Sequence, residues 1–166
     1  MPRSTLLRVC AAFVVLTLAS IASAQRAPIA APPHVLFVCE HGTVRSLIAK
    51  LEFESYAKQV GLRMSAVSRG TQADSTVPRW MLRALGNDHI SLGIWRPQQL
   101  LTPDLASAAM VVSFDVPTTA TSAATVPRAQ WDGLPSVSQN YVLGRDAIHA
   151  RVHRLVDSIR TATARR

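Results

Sequence analysis

Cysteine is scarce: the 166 residues contain two, Cys10 and Cys39. Cys10 lies in a leading segment expected to be removed. That leaves Cys39 alone and excludes both an internal disulfide and a multi-cysteine metal site in the mature chain. An exported chain with one unpaired cysteine is unusual; the thiol is either kept for its reactivity or disabled by oxidation outside the cytoplasm. Acidic residues are also few, 10 against 18 Lys and Arg, giving a net charge of +8. A basic balance favours anionic substrates and raises the rate of encounter with them. Aromatics make up only 5% of the chain and nowhere interleave with a basic run, so nucleic acid is not an expected partner. No internal repeat is present.

The leading segment has its own pattern. Arg3 and Arg8 give a basic start, Val9 to Leu18 is almost wholly apolar, and Ala22-Ser23-Ala24 precedes Gln25 as a small-residue cleavage signal. Residues 1–24 therefore read as a secretory signal peptide, since the apolar run is short for a bilayer span. The expected location is secreted or periplasmic, with membrane contact only during export. Removing Arg3 and Arg8 with this segment lowers the formal charge from +8 to +6. Residues 25–33, rich in Ala and Pro, form a flexible leader. Residues 34–166 are long enough to bury one core and are expected to form a single domain, acting as a monomer.

The organising stretch is His34-Val35-Leu36-Phe37-Val38-Cys39-Glu40-His41-Gly42-Thr43-Val44-Arg45-Ser46. An apolar strand feeds a short loop and then a helix, and the helix start leaves backbone N–H groups without partners where the dipole also favours negative charge. Cys39 stands at the entrance of this anion site, with five residues between it and Arg45. Loop amides, dipole and guanidinium all favour the thiolate over the thiol. The planar fork of Arg45 can grip two oxygens of a tetrahedral oxyanion and hold its central atom for in-line attack by sulfur. Ser46 can hydrogen-bond the sulfur and make it a better leaving group. The chemistry is attack on a phosphoryl group or on arsenate, and it calls for no metal or cofactor.

Cys-Glu-His-Gly-Thr-Val-Arg-Ser directly after Val-Leu-Phe-Val resembles the C-x5-R-S phosphate loop of the low-molecular-weight protein-tyrosine-phosphatase and arsenate-reductase superfamily. The resemblance implies that Cys39 is the nucleophile and Arg45 the oxyanion clamp. Glu40, His41, Gly42, Thr43, Val44 and Ser46 would complete the substrate-binding loop. Gly42 can supply the left-handed backbone such a cradle needs, although the asparagine that braces the loop in many of these phosphatases is absent. Glu40 would repel a dianion unless it points away. His41 either contacts substrate oxygens or simply faces solvent. Ser68-Arg69-Gly70-Thr71 and the segment His89 to Leu100 resemble further stretches of the same superfamily. Arg69 either adds charge toward the loop or is an exposed arginine at a strand end.

Apolar periodicity sets the remaining elements. Helices are expected over Ser46–Val60 with Gly61 as stop, over Val77–Leu85 closed by Gly86-Asn87, after Thr102 as N-cap, and over Tyr141–Ile159. Strands are expected over Arg63–Ser68, Met110–Phe114 and Val126–Trp131, with a loop across Val116–Thr125. Strands alternating with helices predict an α/β fold: a single three-layer domain, a four-stranded parallel sheet with helices on both faces. The reactive loop then lies at the carboxyl edge of the first strand, where such sheets place ligands.

A cysteine phosphatase also needs a group that protonates the leaving oxygen. The superfamily uses the Asp of an Asp-Pro pair, and this sequence has none: in the stretch resembling W-x-L-P-D-P, Ser136-Val137 stands in its place. Asp132 is the first substitute and Asp115 the second, each with an alternative role in its own turn. Three readings follow. The first is an exported phosphatase acting on a phosphorylated protein or aryl phosphate. The second is an arsenate reductase using an external small thiol, since no cysteine follows Cys39 to relay a disulfide to thioredoxin. The third is an oxyanion-binding module that has lost its acid.

Overall fold

The computed structural model describes residues 32–165. The signal peptide expected at 1–24 and the leader up to residue 31 lie outside the described residues. The first strand, β1 (His34–Cys39), is paired in parallel on both sides: by β2 (Ser65–Gly70), in a register that sets Cys39 beside Gly70, and by β3 (Met110–Ser113). The edge strand β4 (Arg128–Gln130) adds to β3, so the order is β2-β1-β3-β4 and every pairing is parallel. Val35 and Phe37 are fully buried on one face with helices α1 (Arg45–Gln59), α2 (Arg79–Asn87) and α4 (Tyr141–Ala164). Leu36 and Val38, equally buried, face α3 (Thr102–Ser107) through Leu105 and Ala108. A strand covered on both faces reads as a continuous apolar run, as β1 does. The expected three-layer architecture is therefore the observed one.

Element boundaries differ where tertiary pairing decides them. β2 starts and ends two residues later than periodicity predicts, because the parallel ladder with β1 runs on through Arg69 and Gly70. Helix α2 runs through Gly86 and Asn87; His89, at φ 60°, takes the left-handed position, and the Ile90 N–H reaches back to the Leu85 carbonyl at 2.8 Å. Leu101, not Thr102, occupies the N-cap of α3, and its N–H donates to the Asp104 carboxylate at 2.9 Å. β4 is shorter than expected and exposes Arg128 and Gln130, while only Ala129 turns inward, as suits an edge. The 116–125 loop carries a 3₁₀ turn at Thr118–Thr121, and α4 continues past Ile159 to Ala164.

Strand order reverses about β1, whose neighbours β2 and β3 lead the chain to opposite sides. Parallel sheets of this kind bind ligands outside the carboxyl ends of the strands at that switch. The residues leaving β1 and β3 there are Cys39 and Phe114-Asp115.

Candidate active site

Between Cys39 and α1 the chain makes a tight loop with its carbonyls turned outward. The carbonyls of Cys39, Glu40 and His41 accept from the N–H groups of Thr71, Gln72 and Asp74 at 3.0, 2.8 and 3.1 Å, and that of Gly42 lies 3.2 Å from Ser68 Oγ. The N–H edge is thereby left facing the other way. Gly42 N donates to Cys39 Sγ at 3.2 Å, while the N–H groups of Glu40, His41, Thr43, Arg45 and Ser46 meet no acceptor among the described residues. Helix α1 starts without a capping side chain at Val44, so its first turn adds further donors. Such a nest of amides binds anions.

Two glycines make the loop possible. Gly42 has φ 70°, and a Cβ there would lie 2.8 Å from the Gly70 nitrogen; a Cβ on Gly70 would lie 2.8 Å from the His41 carbonyl carbon. The two backbones touch, and no asparagine fits at Gly42. The sulfur itself is held by hydroxyls. Ser68 donates to Ser46 Oγ at 2.9 Å, and Ser46 Oγ lies 3.0 Å from Cys39 Sγ. All three residues are buried, Cys39 keeping 8% of its surface.

Above the sulfur is a cavity of about 190 Å³ lined by Cys39, Glu40, His41, Val44 and Arg45 on one side and by Phe114, Asp115 and Ser136 to Ser138 on the other. Arg45 forms an ion pair with Asp115 Oδ2 and reaches the Leu134 carbonyl at 3.5 Å. Asp115 Oδ1 accepts from the Gly133 N–H at 3.1 Å, so both its oxygens are acceptors. The sulfur, the guanidinium and the amide loop thus share one small cavity.

A family model described as low molecular weight phosphotyrosine protein phosphatase matches residues 34–130. The chain belongs to this family. Its members are cysteine-dependent phosphatases and reductases. A sequence search of curated proteins finds no match. Among solved structures, the arginine phosphatase YwlE from Geobacillus stearothermophilus is 21% identical, covering 81% of this chain and 97% of its own, with a TM-score of 0.66. A low molecular weight protein tyrosine phosphatase from Bacillus subtilis is 20% identical, covering 77% and 97%, with a TM-score of 0.62. The thioredoxin-dependent arsenate reductase of Corynebacterium glutamicum is 23% identical with a TM-score of 0.63; the match covers 81% of this chain and 65% of that longer one. At these identities the likeness establishes the phosphatase fold.

Placing the other candidates in this phosphatase-family frame changes the order of the acids. Asp132, expected as the proton donor, does not line the cavity; its Oδ1 accepts from the Asp115 N–H at 2.9 Å and from Gln130 Nε2 at 3.0 Å, bonds that hold the turn together. Asp115 does line the cavity, engaged with Arg45. Ser136, where the family acid would stand, faces the cavity with its hydroxyl 3.1 Å from that of Ser138. Thr43 is buried away from the cavity and donates to Asp74 Oδ2 at 3.0 Å. Arg69 turns from the loop and pairs with Asp104 at 2.9 Å. Sequence reasoning missed Asp74 altogether, because its partners lie more than thirty positions earlier in the chain. Among the described residues, no group of three His, Cys, Asp or Glu side chains is placed to hold a metal ion.

Proposed function

We propose that the chain is an exported phosphatase that hydrolyses phosphotyrosine or another aryl phosphate through a cysteinyl-phosphate. Residues 1–24 support export. The observation that carries the chemistry is the Cys39 sulfur, met by the Gly42 N–H and the Ser46 hydroxyl, inside a loop whose other N–H groups are unpaired. The thiolate attacks phosphorus, an S–P bond forms and the ester O–P bond breaks. Loop amides and Arg45 stabilise the equatorial oxygens, which gather charge as the bond order changes. Asp115 orients Arg45 until substrate oxygens take up the other edge of its fork. The Ser46 hydroxyl then stabilises the sulfur as water displaces it from phosphorus. The test is hydrolysis of 4-nitrophenyl phosphate under reducing conditions: turnover lost in Cys39→Ser supports the reading, and turnover that survives the substitution refutes it.

A second reading is arsenate reduction with an external small thiol. It is favoured by Ser136, because expelling water from arsenic makes no demand for an alcohol's proton; with no cysteine after Cys39 to relay a disulfide, the resolving thiol is external. Arsenite formed only when a low-molecular-weight thiol is added, with no ester hydrolysis, would select it.

A further inference from the structure

The phosphatase reading leaves the leaving-group proton without a source. Ser136 and Ser138 are too weakly acidic, Asp132 is outside the cavity, and Asp115 presents two acceptor oxygens. Two further proton carriers line the cavity, Glu40 and His41; of the two, His41 has a second carboxylate, Asp74, beside its ring. Its Nδ1 lies 3.4 Å from Asp74 Oδ1, and its Nε2 lies 3.7 Å from Glu40 Oε2. Asp74 is itself fixed: its N–H donates to the His41 carbonyl at 3.1 Å and its Oδ2 accepts from buried Thr43. Within the cavity the remaining charged or ionisable groups are Cys39, Arg45 and Asp115.

We infer that His41, oriented by Asp74, is the catalytic acid of this chain. A carboxylate in ion-pair contact with one ring nitrogen biases the ring's orientation and leaves the other nitrogen to transfer the proton, the arrangement by which histidine serves as acid and base. This step rests on the phosphatase reading. As sulfur bonds phosphorus, the electron pair of the breaking O–P bond goes to the ester oxygen, which takes the proton from His41 Nε2. Neutral His41 then receives a proton from the water that attacks the cysteinyl-phosphate, and the S–P pair returns to Cys39. Glu40 Oε2, 3.7 Å from the same Nε2, is beyond hydrogen-bond reach and leaves that N–H to the ester oxygen. Asp74 is a positioning residue, acting through His41.

Leaving-group dependence tests this, because a poor leaving group needs the proton far more than a good one. The full chain and its Cys39→Ser, His41→Asn, His41→Gln, Asp74→Asn and His41→Asn/Asp74→Asn variants are assayed with 4-nitrophenyl phosphate and phenyl phosphate, and their folding is followed by thermal melts. Both His41 variants are expected to lose about 100-fold in kcat/KM on phenyl phosphate and less than about threefold on 4-nitrophenyl phosphate. Asp74→Asn is expected to show the same selective loss in smaller degree, and the double variant to be no worse than His41→Asn, as for residues acting as a unit. Equal losses on both esters, or none, overturn the inference while the phosphatase reading stands. A parent chain that hydrolyses neither ester, or does so without Cys39, overturns that reading and the inference with it.

Discussion

Cys39 reacts as its immediate neighbours allow. The hydroxyl sequence Ser68 to Ser46 to Cys39 is buried from end to end, and a thiolate at Cys39 is an acceptor to which the Ser46 hydroxyl donates. A hydrogen bond to a charged group contributes about 1.5–3 kcal/mol. Part of that is felt only when sulfur leaves phosphorus as the thiolate, and each 1.4 kcal/mol is about tenfold in rate. Ser46→Ala is accordingly expected to slow breakdown of the cysteinyl-phosphate by about tenfold. Burst kinetics with 4-nitrophenyl phosphate would reveal this as intermediate accumulating in the variant. The motif let Ser46 be named from sequence because it adjoins Arg45. Asp74 was not legible, since only the crossing of two loops at Gly42 and Gly70 brings it to His41 and Thr43.

Helix α4 backs the far wall of the cavity through Val137. Gly144 lies against Val137 so closely that a Cβ would stand 2.8 Å from both its Cα and its Cγ2. Alanine gains about 1 kcal/mol of helix propensity over glycine, but overpacking against backbone costs about 1–3 kcal/mol. Gly144→Ala is therefore expected to lower the urea midpoint and, by displacing Ser136 to Ser138, to raise KM for aryl phosphates. The same helix answers to pH through His149. Burial holds its imidazole below the ordinary value; the Glu52 carboxylate, 3.4 Å away, opposes this, and Arg145 reinforces it. His153, Asp146 and Glu52 complete the charged surroundings. A histidine whose folded-state value is depressed binds its proton more readily in the unfolded chain. Its contribution is therefore intact above about pH 6.5 and lost as pH falls through the folded value. Thermal melts at pH 7.5 and 5.5 should show a smaller acid-induced drop in Tm for His149→Gln than for the parent; an equal drop would count against this account.

At the scale of the molecule, two apolar layers clamp one sheet, and Phe37 is the joint of the larger. Its ring, fully buried, packs against Phe53 of α1, Phe114 after β3 and Trp131 after β4, at centroid separations of 6.0, 6.3 and 6.2 Å. Phe37→Ala is expected to cost about 3–5 kcal/mol, a large share of the stability of a domain this size. Urea unfolding followed by tryptophan fluorescence should show the loss as a single transition at lower midpoint. Because Phe37 lies two residues before Cys39 on β1, the variant should also bind phosphate more weakly.

Sequence by itself determined the strand, the loop with its cysteine and guanidinium, and the three-layer plan. Those rest on short-range facts: the unbroken apolar run of β1, the five residues between Cys39 and Arg45, and glycine where φ must be positive. Only the tertiary structure decided which acids reach the cavity. Asp132 and Asp115 are both turn residues in sequence, and their separation into a turn brace and a partner of Arg45 follows from how the ends of β3 and β4 pack together. The pairing of His41 with Asp74 arises likewise from parallel register, which carries the chain beyond β2 beneath the loop beyond β1. Contacts of that kind join residues far apart in the chain, and local pattern holds no record of them.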